Sequence, residues 1–324
     1  MQTACAAREG ATDSPGRLLP TLDITVLMGG PSSERDVSLV SGQAIARGLA
    51  RRGHRITPAD ISPQDASALD RRGIDVVFIA LHGSFGESGE VQELCEQRGL
   101  RYTGCEAQAS RLAMHKPASK TIFRQVGLLT PEWIEVDRDC FGTAGRGRID
   151  SLGLPVVVKP IDGGSSIDLT IPRTFSQRDG DIKRLIDKYG CAMVERFIPG
   201  RELTVGILGD NPLPIIEIIP SREFYDYTAK YADGSGTRYE FELDLPVSTM
   251  EAIQSSAMLA HRVLGCRDMS RVDFILSDDG QLYVLEVNTI PGFTSHSLLP
   301  MAGRRASIEF DELVERLVKM ALRR

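Results

Sequence analysis

Asp273, Glu286 and Asn288 are the residues whose types and spacing first suggest chemistry. They flank a turn signal, Asp278-Asp279-Gly280, between two apolar runs within residues 271–300. That is a β-hairpin pattern. With residues 278–281 as a four-residue loop, Ser277 pairs with Leu282 and Asp273 falls opposite Glu286. Asn288 shares the Glu286 face because strand side chains repeat every second residue. Two carboxylates so close resist joint ionisation unless a cation lies between them. Oxygen-only donors suit a hard divalent ion such as magnesium. The competing reading is a solvated polar face on an edge hairpin. Val272, Phe274, Leu285 and Val287 interleave with the polar positions, which points to burial on both faces and favours the ion.

Lys159 ends an apolar segment, residues 154–159, four residues before Gly163-Gly164-Ser165-Ser166. Consecutive glycines and serines let backbone N–H groups turn toward an anion, and the lysine adds fixed positive charge. The Walker A pattern is absent. A Gly-Gly-Ser-Ser turn alone is more often an ordinary loop. The carboxylate–amide hairpin downstream strengthens the phosphate reading, because magnesium and phosphate sites occur together.

The elements that must position these groups follow from pattern. Residues 23–28 and 75–81 are short apolar strands that each run into a Gly-rich loop, with a helical pattern over residues 37–52 between them. Strand, helix, strand implies a parallel sheet, whose ligands gather beyond the carboxyl ends of its strands. A boundary falls near Met114. Residues 117–127 and 177–189 read as helices, residues 154–159 as a strand, and residues 192–197 and 202–208 as a hairpin about Pro199-Gly200. Residues 310–322 form a last helix.

Composition narrows the function classes. The 324 residues are 42% hydrophobic and 25% charged, an ordinary globular balance. The net charge of -6 argues against a nucleic-acid footprint. Six cysteines show no C-x-x-C spacing, consistent with free thiols in a reducing cytosol. No apolar run reaches the ~18 residues that span a membrane. Residues 1–21 are polar, with no apolar core of a signal peptide, and read as a loose tail.

Several blocks then recur in a fixed order: G-G-P-S-S-E-R-D-V-S from Gly29, L-H-G-S-F-G-E-S-G from Leu81, Y-T-G from Tyr102, V-K-P-I-D-G-G-S-S from Val158, Y-D-Y-T-A-K-Y from Tyr225, and all of residues 271–300. Together they resemble the D-alanine–D-alanine ligases of the ATP-grasp superfamily, from about Asp23 to the last residue. The resemblance implies an α/β and α+β fold of three parts. These are an N-terminal open parallel-sheet domain (22–114), a central α+β domain (115–198) and a C-terminal α+β domain (199–324) with a lid loop (224–237). The implied reaction joins two D-alanines through an acyl phosphate, consuming ATP, for peptidoglycan precursors.

By the same resemblance, Asp273, Glu286 and Asn288 hold two Mg²⁺ ions, with Mn²⁺ as an alternative. Lys116, Lys159 and the loop residues Gly164 and Ser166 take ATP phosphates. Glu195 meets the adenine amino group, backbone from Arg196 through Phe197 to Ile198 meets the rest of the base, and Glu202 takes the ribose. Glu34 takes the ammonium of the first D-alanine, with Ser165 and Tyr231 completing the set and His82 nearby. Arg271 and the Gly292 N–H form an oxyanion hole. Ser297 and the Leu298 N–H bind the second carboxylate, and Lys230 reaches the transferring phosphate from the lid. The implied state is a cytoplasmic homodimer with neither nucleic-acid nor membrane partners. Plainer readings stand beside some of these. Glu34 begins a helix, where acids are favoured anyway, and His82 also fits a histidine that merely caps a sheet. His54, His261 and His296 read as structural.

The chain departs from the family pattern at Asp168, where a glycine is usual, at Met114-His115-Lys116, where M-D-K is usual, and at Ser88. Asp168 places bulk and negative charge beside a polyanion, which predicts weaker ATP binding. Neighbouring readings are a D-alanine–D-serine ligase, a D-alanine–D-lactate ligase, against which the intact Ala229-Lys230-Tyr231 speaks by favouring an amine nucleophile, and a non-catalytic nucleotide-binding protein.

Overall fold

A computed structural model describes residues 20–142, 145–220 and 236–324. Three sheets organise it. The first is parallel, in the order β2 (Arg55–Asp60), β1 (Asp23–Met28), β3 (Val76–Ile79). A parallel sheet buries both faces, and β1 does so by alternation. Ile24, Val26 and Met28 pack under helices Arg35–Arg51 and Phe310–Leu322, and Leu27 faces the opposite core with Val91 and Cys95 of helix Glu90–Gln97. The last helix of the chain therefore completes the first sheet. Arg51 pairs with Asp311 and Arg52 with Glu315 across that contact.

The second sheet is antiparallel, β4 (Trp133–Asp137), β6 (Cys191–Arg196), β5 (Val156–Lys159). Its inner face, including Val156, Val158, Ala192 and Val194, is covered by helix Phe175–Tyr189. A capping box at Thr174 and Gln177 starts that helix, satisfying two orphan backbone donors. The third sheet has the path β10 (Arg238–Glu240), β9 (Ile216–Ile219), β7 (Gly200–Leu208), β11 (Met269–Ser277), β12 (Leu282–Asn288), with β8 (Asn211–Pro212) paired to β7. Leu203, Val205, Val272 and Phe274 pack on helix Val247–Val263. Alternation sends Glu202, Arg271, Asp273 and Ile275 to the other face.

Two expectations are corrected, and one strand is added. Residues 192–197 and 202–208 form no hairpin, because β6 and β7 belong to different sheets. β7 instead pairs along its whole length with β11, from Gly200↔Ser277 to Leu208↔Met269. Nine aligned pairs on an apolar strand outweigh a turn at Pro199-Gly200. The metal-hairpin loop is one residue longer than expected: Leu276, not Ser277, pairs with Leu282. A β-bulge then restores the expected Asp273↔Glu286 pair. The cause lies in spacing. Val284 and Val287 are both buried in the same core, at 1% and 4% exposure, yet lie three apart. A regular strand cannot place both inward, so one residue, Leu285, is bulged. Strand β2, R-I-T-P-A-D, was absent from the sequence reading. It is an edge strand, where proline is tolerated.

Candidate functional site

The second and third sheets face each other across a cavity of about 410 Å³, a size suited to a small organic ligand. One wall presents Lys159 and Glu195, the other Glu202, Asp273 and Leu285. These are the strand positions left over after alternate residues fill the two cores. Phe197 and Ile198, on the crossing between β6 and β7, line the apolar end together with Ile167, Leu169 and Ile218. The sequence reading missed those three walls, because isolated apolar residues carry no motif. The Arg196 side chain pairs with Glu132 at 2.9 Å.

Charge is concentrated at Glu195. Its Oε1 accepts a hydrogen bond from Lys159 Nζ at 2.9 Å, and its Oε2 lies 2.6 Å from Lys120 Nζ. Desolvation pushes the Glu195 carboxyl up, but Lys120 and then Lys159 outweigh it, so it is held below the usual carboxylate range. Oε2 is buried and accepts no well-directed hydrogen bond among the described residues. Lys120 approaches it as a charge, outside donor geometry. Lys116 is buried too. Its Nζ donates to Gly163 O at 2.5 Å, and desolvation lowers its pKa against the opposing field of Glu286.

The loop between β5 and helix Phe175–Tyr189 folds back through a two-hydrogen-bond bridge, Val158 to Thr170, both at 2.9 Å. Ser165, Ser166 and Asp168 have φ of 52°, 55° and 59°. Left-handed backbone at three non-glycine residues is costly and concentrates at functional loops. The Asp168 side chain does not enter the cavity its neighbours line. It accepts from Arg184 Nη1 at 2.7 Å, Lys188 Nζ at 2.7 Å and Tyr189 Oη at 2.5 Å. Lys188 first, then Tyr189 and Arg184, lower its pKa to about 2. The expectation of a negative charge facing a polyanion is therefore corrected: the acid is turned onto the helix and neutralised there. His115 is likewise explained. Its Nδ1 accepts from the Ala118 N–H at 3.2 Å and caps helix Lys116–Gln125, the task an aspartate ordinarily performs.

A smaller cavity of about 60 Å³ adjoins the first and shares Lys116, Gly163, Gly164 and Glu286 with it. Arg271, Asn288, Gly292, Ser297 and Leu298 line its far side. Glu34 stands behind the loop, 4% exposed, and accepts a hydrogen bond from the Ser165 hydroxyl. His82 lies one layer deeper. Its Nε2 is 3.2 Å from Ser41 Oγ and its Nδ1 3.6 Å from Glu87 Oε1. Glu87 lines the cavity although the sequence reading gave it no role, and its G-E-S-G block was the available signal. His296, read as structural from the sequence, also lines it. His54 and His261 fit that reading: each is buried, with Nδ1 bonded to the Leu22 N–H and placed beside Ser270 Oγ, respectively. Ser297 Oγ accepts from the Thr294 N–H at 2.9 Å at the start of helix Leu298–Arg305.

Asp273 and Glu286 oppose each other across β11 and β12, and Asn288 pairs with Arg271 two places along. Arg271 grips Asp273 with two hydrogen bonds, 2.8 and 2.7 Å, and Thr204 Oγ1 adds a third at 2.6 Å. Two carboxylates and an amide make an all-oxygen set that fits a hard divalent ion. No group of three or more His, Cys, Asp or Glu side chains that could hold a metal ion exists among the described residues. Lys230 and Tyr231, with most of the expected lid, lie outside the described residues. Among the described residues no helix is long and apolar enough to cross a membrane.

Comparison with known proteins converges on one family. The family model described as "D-ala D-ala ligase C-terminus" matches residues 122–319, and "D-ala D-ala ligase N-terminus" matches residues 62–105. The chain is 44% identical over 299 residues to a D-alanine–D-alanine ligase of Pelobacter propionicus, covering 92% of this chain and 95% of that one. It resembles the crystal structure of a D-alanine–D-alanine ligase from Bacillus anthracis complexed with ATP, with TM-score 0.83, 33% identity, and 94% and 98% of the two chains covered. It also resembles the VanG D-Ala:D-Ser ligase of Enterococcus faecalis, with TM-score 0.82, 26% identity, and 93% and 100% covered.

Proposed function

The chain belongs to the D-alanine–D-alanine ligase family, and from that premise we propose how its two cavities divide the reaction. The fold is ATP-grasp, and the enzyme joins two D-alanines at the expense of ATP to make a peptidoglycan precursor. The γ-phosphoryl group passes to the carboxylate of the first D-alanine, and ADP leaves. The amine of the second then attacks that carbonyl and expels phosphate. Transfer of this kind relies on positioning and charge neutralisation.

The large cavity takes the nucleotide. The base lies against Phe197 and Ile198 with its amino group on Glu195, the ribose on Glu202, and the phosphates on Lys116, Lys159 and the Gly164–Ser166 loop. Lys159 must leave Glu195 to do this. Magnesium, or manganese, held by Asp273, Glu286 and Asn288 would neutralise the triphosphate. The small cavity takes the amino acids. Glu34, supported by Ser165, receives the first ammonium, with His82 behind Glu87. Arg271 and the Gly292 N–H face the developing oxyanion, and Ser297 with the Leu298 N–H takes the second carboxylate at a helix N-terminus. One oxyanion donor is worth roughly 3 kcal/mol. Lys230 and Tyr231 keep the roles the family resemblance gives them. A cytoplasmic homodimer is the matching assembly, which sedimentation tests.

The observation that carries this reading is the boundary between the cavities: Lys116, Gly164 and Glu286 border both, which is where a phosphoryl group would cross. The test is product mass after incubation with ATP, Mg²⁺, D-alanine, D-serine and D-lactate. D-alanyl-D-alanine as the main product is expected. A mixed product moves the second site toward the D-serine or D-lactate reading, and no nucleotide cleavage sinks the assignment.

A further inference from the structure

The proposed reaction gives no task to the buried cation beside the proposed base site. Lys120 is 0% exposed and lines neither cavity described above. It sits on helix Lys116–Gln125, one turn past Lys116, with Nζ 2.6 Å from Glu195 Oε2 and 2.5 Å from Thr130 Oγ1. Trp133, whose backbone pairs with Glu195, has its ring centroid 5.6 Å from the same nitrogen. An unpaired ammonium is very costly in such a place, so Lys120 is committed to Glu195. Burial lowers its pKa to about 8, which leaves it charged at neutral pH.

We infer that Lys120 is a positioning residue that selects the purine: it keeps Glu195 ionised, hence an acceptor only, and so favours a 6-amino base over a 6-oxo base. The inference rests on the placement of the base at Glu195 proposed above. Glu195 has two counter-charges, and they are not equivalent. Lys159 lies at the cavity wall and is drawn away when it meets phosphate. Lys120 lies behind the carboxylate and has no route to the phosphates. With nucleotide bound, Lys120 alone opposes the desolvation that would protonate Glu195. A carboxylate has no proton to give. It accepts from an exocyclic amine but repels a 6-oxo group, whereas a neutral carboxylic acid donates to that oxygen. Lys120 holds Oε2, and Oε1, which Lys159 vacates on meeting phosphate, is the atom this selection acts on.

The test compares binding of ATP and inosine triphosphate to the full-length protein with Mg²⁺, by calorimetry. Wild type should prefer ATP. Glu195→Gln, whose amide can turn to donate, should abolish the preference; if it does not, the base is not at Glu195 and the underlying placement fails. Lys120→Met should cut the ATP:ITP affinity ratio by about tenfold or more, the scale of one charged hydrogen bond, and Lys120→Arg should restore most of it. If Lys120→Met weakens both nucleotides equally, Lys120 is only structural and the inference is overturned. Should that variant fail to fold, Lys120→Met with Glu195→Gln removes both charges together. Its ratio should equal that of Glu195→Gln alone, and a further drop would overturn the inference.

Discussion

Asp168 Oδ1 accepts a hydrogen bond from Arg184 Nη1 at 2.7 Å, and that contact turns the acid away from the cavity that Ile167 and Leu169 line. A position where the family usually has glycine has become a tether between the phosphate loop and helix Phe175–Tyr189. Aspartate tolerates the left-handed backbone better than most residues, so the substitution costs little locally.

Asp168→Gly should therefore not tighten ATP binding. Lost tethering should raise the KM for ATP about threefold, and overall stability should change by less than about 1 kcal/mol, since exposed ion pairs contribute little. A tighter KM would restore the simple charge-repulsion view. The pH signature has a definite sign. The Asp168 pKa is lowered to about 2 in the fold, against about 3.9 unfolded. Its stabilisation is fully present above pH ~4 and is lost as pH falls toward 2. The Tm difference between wild type and Asp168→Asn should be constant at neutral pH and shrink across that acidic window.

Glu286 and Asp273 should behave differently although both belong to the proposed ion site. Asp273 accepts two hydrogen bonds from Arg271 and one from Thr204, and Asp273→Asn should cost stability of about 1–3 kcal/mol. Glu286 holds no side-chain hydrogen bond among the described residues. Glu286→Gln should leave the Tm nearly unchanged while raising the Mg²⁺ concentration needed for half-maximal turnover more than tenfold. A Mn²⁺ binding titration with nucleotide checks it, and unchanged affinity would remove Glu286 from the ion site.

The hairpin also shows how far a sequence can be read. The Asp273↔Glu286 pair was legible from the turn signal and alternation. The bulge beside it was not, because the inward need of both Val284 and Val287 appears only once the opposing helix is in place. Helix Phe310–Leu322 was read to the residue from its periodicity, but its role as the cover of the first sheet is a long-range contact that no local pattern carries. Glu34 and Lys159 stood in motif blocks, and Glu195 entered only through the family resemblance. Lys120 carried no such signal, because its proposed role depends on a partner 75 residues away, Glu195. Strand β2 was hidden by its own proline and polar residues.

Glu34→Gln should separate charge from shape. Glutamine still accepts from the Ser165 hydroxyl and still begins helix Arg35–Arg51, so the Tm should move little. The ammonium of the first D-alanine loses a buried counter-ion, and its KM should rise by roughly 10- to 100-fold, the scale of a charge-assisted hydrogen bond. Steady-state kinetics at saturating second substrate measure it. An unchanged KM would return Glu34 to a helix-start residue.

Gly292 is constrained by contact. A Cβ there would lie 2.6 Å from Ser297 Oγ, too close for that oxygen to stay, and 3.4 Å from Ser297 Cβ, an ordinary contact. Ser297 Oγ also accepts from the Thr294 N–H, so pushing it aside opens the turn that leads into helix Leu298–Arg305. The N–H groups proposed to hold the second carboxylate would shift with it, and a misplacement of about 1 Å can cost 10²-fold in rate. Gly292→Ala should thus raise the KM for the second D-alanine at least about tenfold. The cavity proposed for the nucleotide lies across Glu286, so the KM for ATP should stay within about twofold. Equal increases in both would mean that the loop supports the whole site and that the division between the two cavities is wrong.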